Sequence, residues 1–389
     1  MNSDLLYWML LAHSESLKPA ERLAVLRAAK GRLEDYSRSE MAELPEDLRQ
    51  RLRAVWDEVA REGFLLERLR NQDIRVVVGS DPLYPERLKK ALKTATPLVL
   101  YGVGEVSLLN AKRAVAIVGS RDANPKTLEL TRRASRYLAR EGYVVVSGYA
   151  KGVDQAAFEG TLGNGQSIAV LPQGILDKSS QGAVRKHSGA VNAGDVLFVS
   201  ELHPQAVWQA RFAMMRNRIV TALADVTIVA QTGLKETVVG GKRKQSGTWN
   251  AAKTAKEQGR RVFVFDLPHE GNQALIREGL GEALPVTGDD TMFHYLEDAI
   301  SAGPAAPRSQ EAREMEPSHP NHPSRDPEEE RFWRELEDPV NRPRLLALIR
   351  SVLEELSLES VDKGVAQRAK TQKKTKTRGN QSPLIPPDP

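Results

Sequence analysis

Several short runs collect residue types suited to holding oxyanions. In VGSR, Gly119 lets the backbone turn closely, Ser120 offers a hydroxyl and an amide, and Arg121 carries a planar fork of donors matched to phosphate. In SGYAKGVD, Ser147, Gly148 and Gly152 leave backbone amides open ahead of a helix start, Lys151 adds a point charge, and Asp154 is placed to cap the helix. LPQG, ending at Gly174, is less informative. MMRNRIV sets Arg216, Asn217 and Arg218 ahead of an apolar run, and KQSGTWNAA sets Ser246, Gly247 and Thr248 at the start of a helix. Each run alone is weak, since Gly-Ser-Arg arises by chance and Arg-Asn-Arg is more often a structural ion-pair cluster. Together, small residues, hydroxyls and cations argue for an extended, oxyanion-rich ligand rather than an apolar metabolite.

Such runs act together only if the fold brings them to one edge. Between Ala114 and Phe265, apolar stretches of strand length alternate with amphipathic stretches of helix length, the pattern of βαβ units. The expected strands are 115–118, 144–147, 168–171, 197–199, 226–230 and 262–265. Each is short and apolar throughout, as strands covered on both faces are. Asn124 before Pro125 predicts a capped helix start. The expected fold class is therefore α/β, a doubly wound, mostly parallel Rossmann-like sheet. Ligands of such a sheet bind beyond the carboxyl ends of the strands, where most of these runs fall.

The organisation expected around that sheet has five parts. Residues 1–70, rich in Leu, Ala, Arg and Glu, read as a small N-terminal helical domain, with the apolar run Leu5 to Leu11 a buried helix too short to span a bilayer. Residues 71–300 form the Rossmann-like domain, opening with a strand, a turn around Pro82 and Pro85, a short helix and another apolar strand. Residues 301–330, polar and proline-rich, read as a linker; 331–360 as a C-terminal helical segment with a stripe from Leu345 to Leu356; and 361–389 as a disordered basic tail.

Composition narrows the function classes. The chain has 389 residues and a formal net charge of +5, a mild lean towards an anionic partner. Cysteine is absent, which excludes disulfides, thiolate nucleophiles and sulfur-ligated zinc and points to a reducing cytoplasm. The seven histidines are scattered without ligand spacing, so no metal and no cofactor is expected. No residue set resembles a Ser-His-Asp triad or a P-loop, so neither catalytic residues nor enzymatic activity are expected.

The order of the motifs resembles the DNA-processing protein A family, DprA or Smf. The resemblance runs from DPLYPERLKKALKTATPLVLYGVGEVSLL through VAIVGSR, VVVSGYAKGVDQAAFEGTL, IAVLPQGI and SELHP to RNRIVTALADVTIVAQ and SGTWNAAKTAKEQGRRVFVF. It implies a Rossmann-like domain that forms a homodimer, binds single-stranded DNA without sequence preference, and loads a RecA-type recombinase in recombination or natural transformation. It further implies DNA contacts at Gly119, Ser120, Arg121, Lys151, Arg216, Arg218 and Lys244, with Phe212 as a stacking ring. The chain departs from the family in having Phe158 in place of a histidine, Gln231 in place of a carboxylate after the fifth strand, and no winged-helix pattern at its end. Phe158 reads as packing, and Gln231 as making the crevice more welcoming to phosphate. Two other readings compete: a nucleotide or nucleotide-sugar sensor or N-glycoside hydrolase, which serves antiviral defence in one version, and an interaction scaffold whose crevice is vestigial.

Overall fold

Alternation of side chains along the central strands decides how the sheet is covered. On β3 (Ala114–Val118), Ala114, Ala116 and Val118 enter one core while Val115 and Ile117 enter another on the opposite face. A strand clad on both sides has no polar face to expose, so its sequence is apolar throughout. The computed structural model describes residues 4–239, 242–287 and 291–301, all within one compact unit, Met1–Ala306. The linker, C-terminal helical segment and basic tail expected after residue 301 lie outside the described residues.

The chain begins with five helices: α1 (Asp4–His13), α2 (Pro19–Ala29), α3 (Leu33–Ser37), α4 (Glu46–Trp56) and α5 (Val59–Arg70). Trp8, Met9, Leu10 and Leu11 of α1 are buried, and no helix among the described residues is long and apolar enough to cross a membrane. Next come β1 (Arg75–Val78), α6 (Glu86–Leu92) and β2 (Val99–Gly104), then β3. The alternating part continues with α7 (Pro125–Arg140), β4 (Val144–Ser147), α8 (Val153–Thr161), β5 (Ser167–Val170), α9 (Lys178–Lys186), α10 (Ser188–Asn192) and β6 (Val196–Ser200). It closes with α11 (Ala210–Ala222), β7 (Val226–Val229), the hairpin strands β8 (Glu236–Val239) and β9 (Lys242–Gln245), α12 (Gly247–Glu257), β10 (Arg261–Phe265), α13 (Glu270–Arg277), β11 (Glu282–Leu284) and α14 (Thr291–Ser301).

One nine-stranded sheet has the order β1-β2-β6-β5-β4-β3-β7-β10-β11. Every pairing from β6 to β11 is parallel, and β2 joins β6 antiparallel, as does β1 to β2. The six expected strands are all present, and the sheet extends beyond them at both edges. Strand order reverses between β3 and β7, the position at which a doubly wound sheet opens a crevice at its carboxyl edge. Residues of α6, α11, α12 and α13 fill the core on one face. On the other, α7, α8 and α14 cover the β3, β7 and β10 half, and α1 to α5 share a core with β2 and β6.

Asn124 accepts the Thr127 amide at 2.8 Å and Pro125 follows, so α7 starts where the local sequence dictates. The far side of the crevice edge is pinned by Asn272, fully buried near the start of α13. Its Oδ1 accepts the Thr232 amide at 2.8 Å, and its Nδ2 donates to the carbonyls of Ala230 at 3.0 Å and Phe265 at 2.9 Å. It thereby ties the ends of β7 and β10 together. Asn272→Leu would remove the side-chain partners of the Thr232 amide and the Ala230 carbonyl and leave the Phe265 carbonyl with only the Leu267 amide. It is expected to lower the unfolding free energy by about 3 kcal/mol, read from urea denaturation.

Candidate nucleic-acid interface

The loops after β3, β4 and β5 converge with α9 and α11 on a crevice of about 300 Å³. Arg121, Gly148, Tyr149, Lys151, Gln173, Trp208 and Arg216 are among its lining residues. The β4 loop owes its shape to positions that reject a side chain. Gly152 has φ +88°, and a Cβ there would sit 2.4 Å from the Ser120 carbonyl oxygen, so the β3 and β4 loops touch backbone to backbone. At Gly148 a Cβ would fall 1.3 Å from Arg216 Nη1, so the absent side chain is what admits the guanidinium. Between them Tyr149 holds φ +54°, a left-handed conformation costly for a ring-bearing residue, with its hydroxyl bonded to His187 Nε2 at 2.8 Å.

Under the crevice floor lies a buried ion pair. Arg216 is 5% exposed and Asp154 7%, with Nη1 and Oδ2 3.7 Å apart. Arg216 Nη1 also donates to the Val170 carbonyl at 3.2 Å, while its Nε has no partner. Burial pushes the Asp154 carboxyl above its usual range, opposed by Arg216 and by the Ala150 and Gly119 amides. Burial likewise lowers the Arg216 pKa, opposed by Asp154. A second idle polar atom, Gln173 Oε1, belongs to the same lining.

The mouth is cationic and aromatic. Arg121 stands with its guanidinium carbon 5.8 Å from the Trp208 ring centroid, and that ring is 48% exposed. Lys151 is exposed, with the equally exposed Asp122 carboxylate 3.9 Å away, a pair that solvent leaves weak. Among the described residues the lining contains no aspartate or glutamate.

Several residues expected in the site are engaged elsewhere. Asp154 does not cap α8: the cap position is Gly152, and Asp154 lies inside the first turn, drawn to Arg216. Arg218, two residues beyond Arg216, leaves α11 in another direction, donating to the buried Glu201 carboxylate and to the Ala95 carbonyl at 2.7 Å. Asn217 donates to the Gly247 carbonyl at 3.0 Å, and Ser246 caps α12 by accepting the Trp249 amide at 3.4 Å, so with buried Thr248 these groups join α11 to α12 outside the crevice. The Ser147 hydroxyl turns inward to the Ile117 carbonyl at 2.9 Å. Gly119 is packed, since a Cβ there would meet Val153 at 2.6 Å, and Ser120 contributes its amide to the Gln231 carbonyl at 2.7 Å. Gln231 lies outside the lining too: its Oε1 accepts the Asn124 amide at 3.1 Å and helps fix the start of α7. The Lys244 side chain lies outside the described residues, although its backbone pairs with Thr237 in the β8-β9 hairpin.

Phe212 does not line the crevice; the aromatics that do are Tyr149, whose hydroxyl is bonded to His187, and the exposed Trp208. The signal for it was an aromatic in the polar stretch PQAVWQ following a strand, an exposed position for which core packing offers no reason. Phe158 is 1% exposed, with its ring centroid 5.0 Å from that of Tyr149 and 4.9 Å from that of His187, which makes it packing behind the β4 loop.

A doubly wound sheet with small-residue loops, exposed cations and an aromatic at its carboxyl edge defines a Rossmann-like protein with a cationic crevice. Residues 75–296 match the model of the DNA recombination-mediator protein A family, more than half of the chain, and the chain belongs to that family. It is 30% identical over 221 residues to the DNA processing protein DprA of Bacillus subtilis, a match covering 55% of this chain and 70% of the relative. It is also 30% identical over 237 residues to protein Smf of Escherichia coli, covering 58% of this chain and 59% of that one. The X-ray structure of DprA from Streptococcus pneumoniae superposes with a TM-score of 0.56 at 24% identity, covering 75% of this chain and 97% of that one, a likeness of fold.

Proposed function

We propose that the crevice holds the phosphodiester backbone of single-stranded DNA, without sequence preference and without catalysis by the protein itself. The observation that carries this is the mouth: two exposed cations, Arg121 and Lys151, beside the exposed Trp208 ring, over a lining free of aspartate and glutamate among the described residues. Cations track phosphates and an aromatic face accepts any base, which is how a sequence-neutral single-strand site works. Duplex DNA keeps its bases stacked on one another and cannot offer one to Trp208. The same lining disfavours an N-glycoside hydrolase, which needs a carboxylate beside the scissile bond. Asp154 is instead buried and paired with Arg216.

Family membership supports a place in DNA processing and recombination, with the strand passed to a RecA-type recombinase by a homodimer. Fluorescence anisotropy with a labelled oligothymidylate tests the site. Arg121→Ala and Lys151→Ala are each expected to weaken binding about tenfold and to flatten the slope of log affinity against log salt by about 0.7, for oligonucleotides of any sequence. Unchanged affinity in both variants would remove the crevice from the proposal. Sedimentation of the free protein reads the homodimer, and recombinase filament assembly on the bound strand reads the hand-over.

A further inference from the structure

We propose that His13, Glu62 and His203 bind one divalent transition-metal cation of the zinc class, clamping the N-terminal helices to the sheet. His13 lies in the last turn of α1, Glu62 in the first turn of α5, and His203 in the loop after β6. Their donor atoms all lie within 4.8 Å of one another. His13 Nδ1 is 3.1 Å from Glu62 Oε1, and the two imidazole centroids are 4.4 Å apart. Two donors on a tetrahedral zinc at about 2.0–2.1 Å from the metal sit roughly 3.3 Å apart, so the His13–Glu62 edge already has ligand spacing. Two imidazoles and one carboxylate suit zinc or its first-row neighbours rather than magnesium or calcium, which take oxygen shells.

A second observation points at a cation independently. Glu62 is 3% exposed and its Oε2 has no hydrogen-bond partner. A buried carboxylate with an idle oxygen is costly, and an arginine or lysine ordinarily offsets it. Among the described residues the ion-pair partner of Glu62 is instead the His13 imidazole, while the neighbouring Arg61 is exposed and bonds Glu58. A dication would meet the idle oxygen and balance the charge.

The ring of His13 is already oriented for this. Its Nδ1 faces the Glu62 carboxylate and its Nε2 lies 2.7 Å from the hydroxyl of the fully buried Tyr101. Without a cation Nδ1–H donates to the carboxylate, and a metal taking Nδ1 would leave Nε2–H to donate to the Tyr101 oxygen. That outer hydrogen bond is the usual support of a metal-binding histidine. At His203 the Gln205 amide donates to Nδ1 at 3.2 Å, a long bond that coordination would replace, or bypass through the other tautomer.

The test uses the full chain, stripped with a chelator and dialysed against Zn²⁺. The expected result is one zinc retained per chain, with affinity read by competition against a chromogenic chelator. Glu62→Gln and His203→Gln should each lose at least tenfold in affinity, and Tyr101→Phe, which removes only the outer hydrogen bond, about 10- to 100-fold. His319→Ala/His322→Ala, at the His-Pro-Asn-His run outside the cluster, should leave affinity unchanged. Retention of no zinc by the folded wild type overturns the site, as does loss of zinc in the His319/His322 variant alone. If Glu62→Gln and His203→Gln do not fold, Co²⁺ in the wild type and in Tyr101→Phe decides. Visible ligand-field bands that shift in Tyr101→Phe support the site, and identical or absent bands overturn it.

Discussion

Trp208→Ala is expected to weaken oligothymidylate binding by about 1–3 kcal/mol, or roughly 5- to 150-fold, while leaving the salt dependence of binding unchanged. The reasoning separates two kinds of contact that meet at one mouth. Arg121 and Lys151 act on phosphates, so their removal changes how many counterions binding releases. Trp208 offers a flat, 48% exposed face on which a base can stack, and stacking releases no counterions. The proximity of Arg121, 5.8 Å from the ring centroid, makes a second outcome possible. A flattened salt slope in Trp208→Ala would mean that the ring acts by positioning Arg121 rather than by stacking. Trp208→Phe, which keeps an aromatic face, is expected to retain most of the affinity.

Arg216→Met is expected to lower the unfolding free energy by about 3–5 kcal/mol near pH 7, measured by urea denaturation, because it leaves a buried carboxylate without its counter-charge. The pH dependence identifies the source. Burial already raises the Asp154 pKa above 3.8 in the folded protein, and Arg216 opposes that rise. Removing Arg216 raises it further. A carboxyl whose folded pKa lies above its unfolded one keeps its proton more tightly when folded. Stability is then highest below the unfolded pKa and falls as pH climbs towards the folded value. The deficit of Arg216→Met relative to wild type should therefore shrink on acidification from about pH 7 to about pH 5. A deficit that stays constant would place the loss in packing and in the Val170 hydrogen bond instead. Adding Asp154→Asn to Arg216→Met should recover part of the lost stability, since it removes the stranded charge.

The same pair shows why parts of the site were not legible along the chain. Arg216 and Arg218 look equivalent in MMRNRIV, yet two residues on a helix turn a side chain through about 200°. One cation therefore lies under the crevice and the other meets Glu201. Asp154 reads as a cap because acidic residues favour helix starts, but Gly152 holds the cap position and the charge of Arg216 takes the carboxylate. Ser246, Gly247 and Thr248 do start a helix, as expected. That helix packs on the face of the sheet shared with α11, and its first turn is absent from the crevice lining. His13, Glu62 and His203 carry no ligand spacing because their elements are separate in sequence and meet only where the N-terminal helices dock on β2 and β6.

What the sequence by itself determined is the sheet and the chemical character of its edge. Apolar runs of strand length separated by helical stretches leave few architectures that bury both faces, and glycine, serine and cationic residues after the strands mark a phosphate-friendly surface wherever that edge lies. Local signals such as Asn124-Pro125 set helix starts without help from the rest of the chain. Only the tertiary structure decided which cations stay free and which are spent on internal partners, that Trp208 rather than Phe212 lines the crevice, and that two histidines flank a buried glutamate. The physical reason is range. Strand and helix formation is governed by neighbours within a few residues, whereas the fate of a charged or aromatic side chain depends on which distant groups packing brings to it.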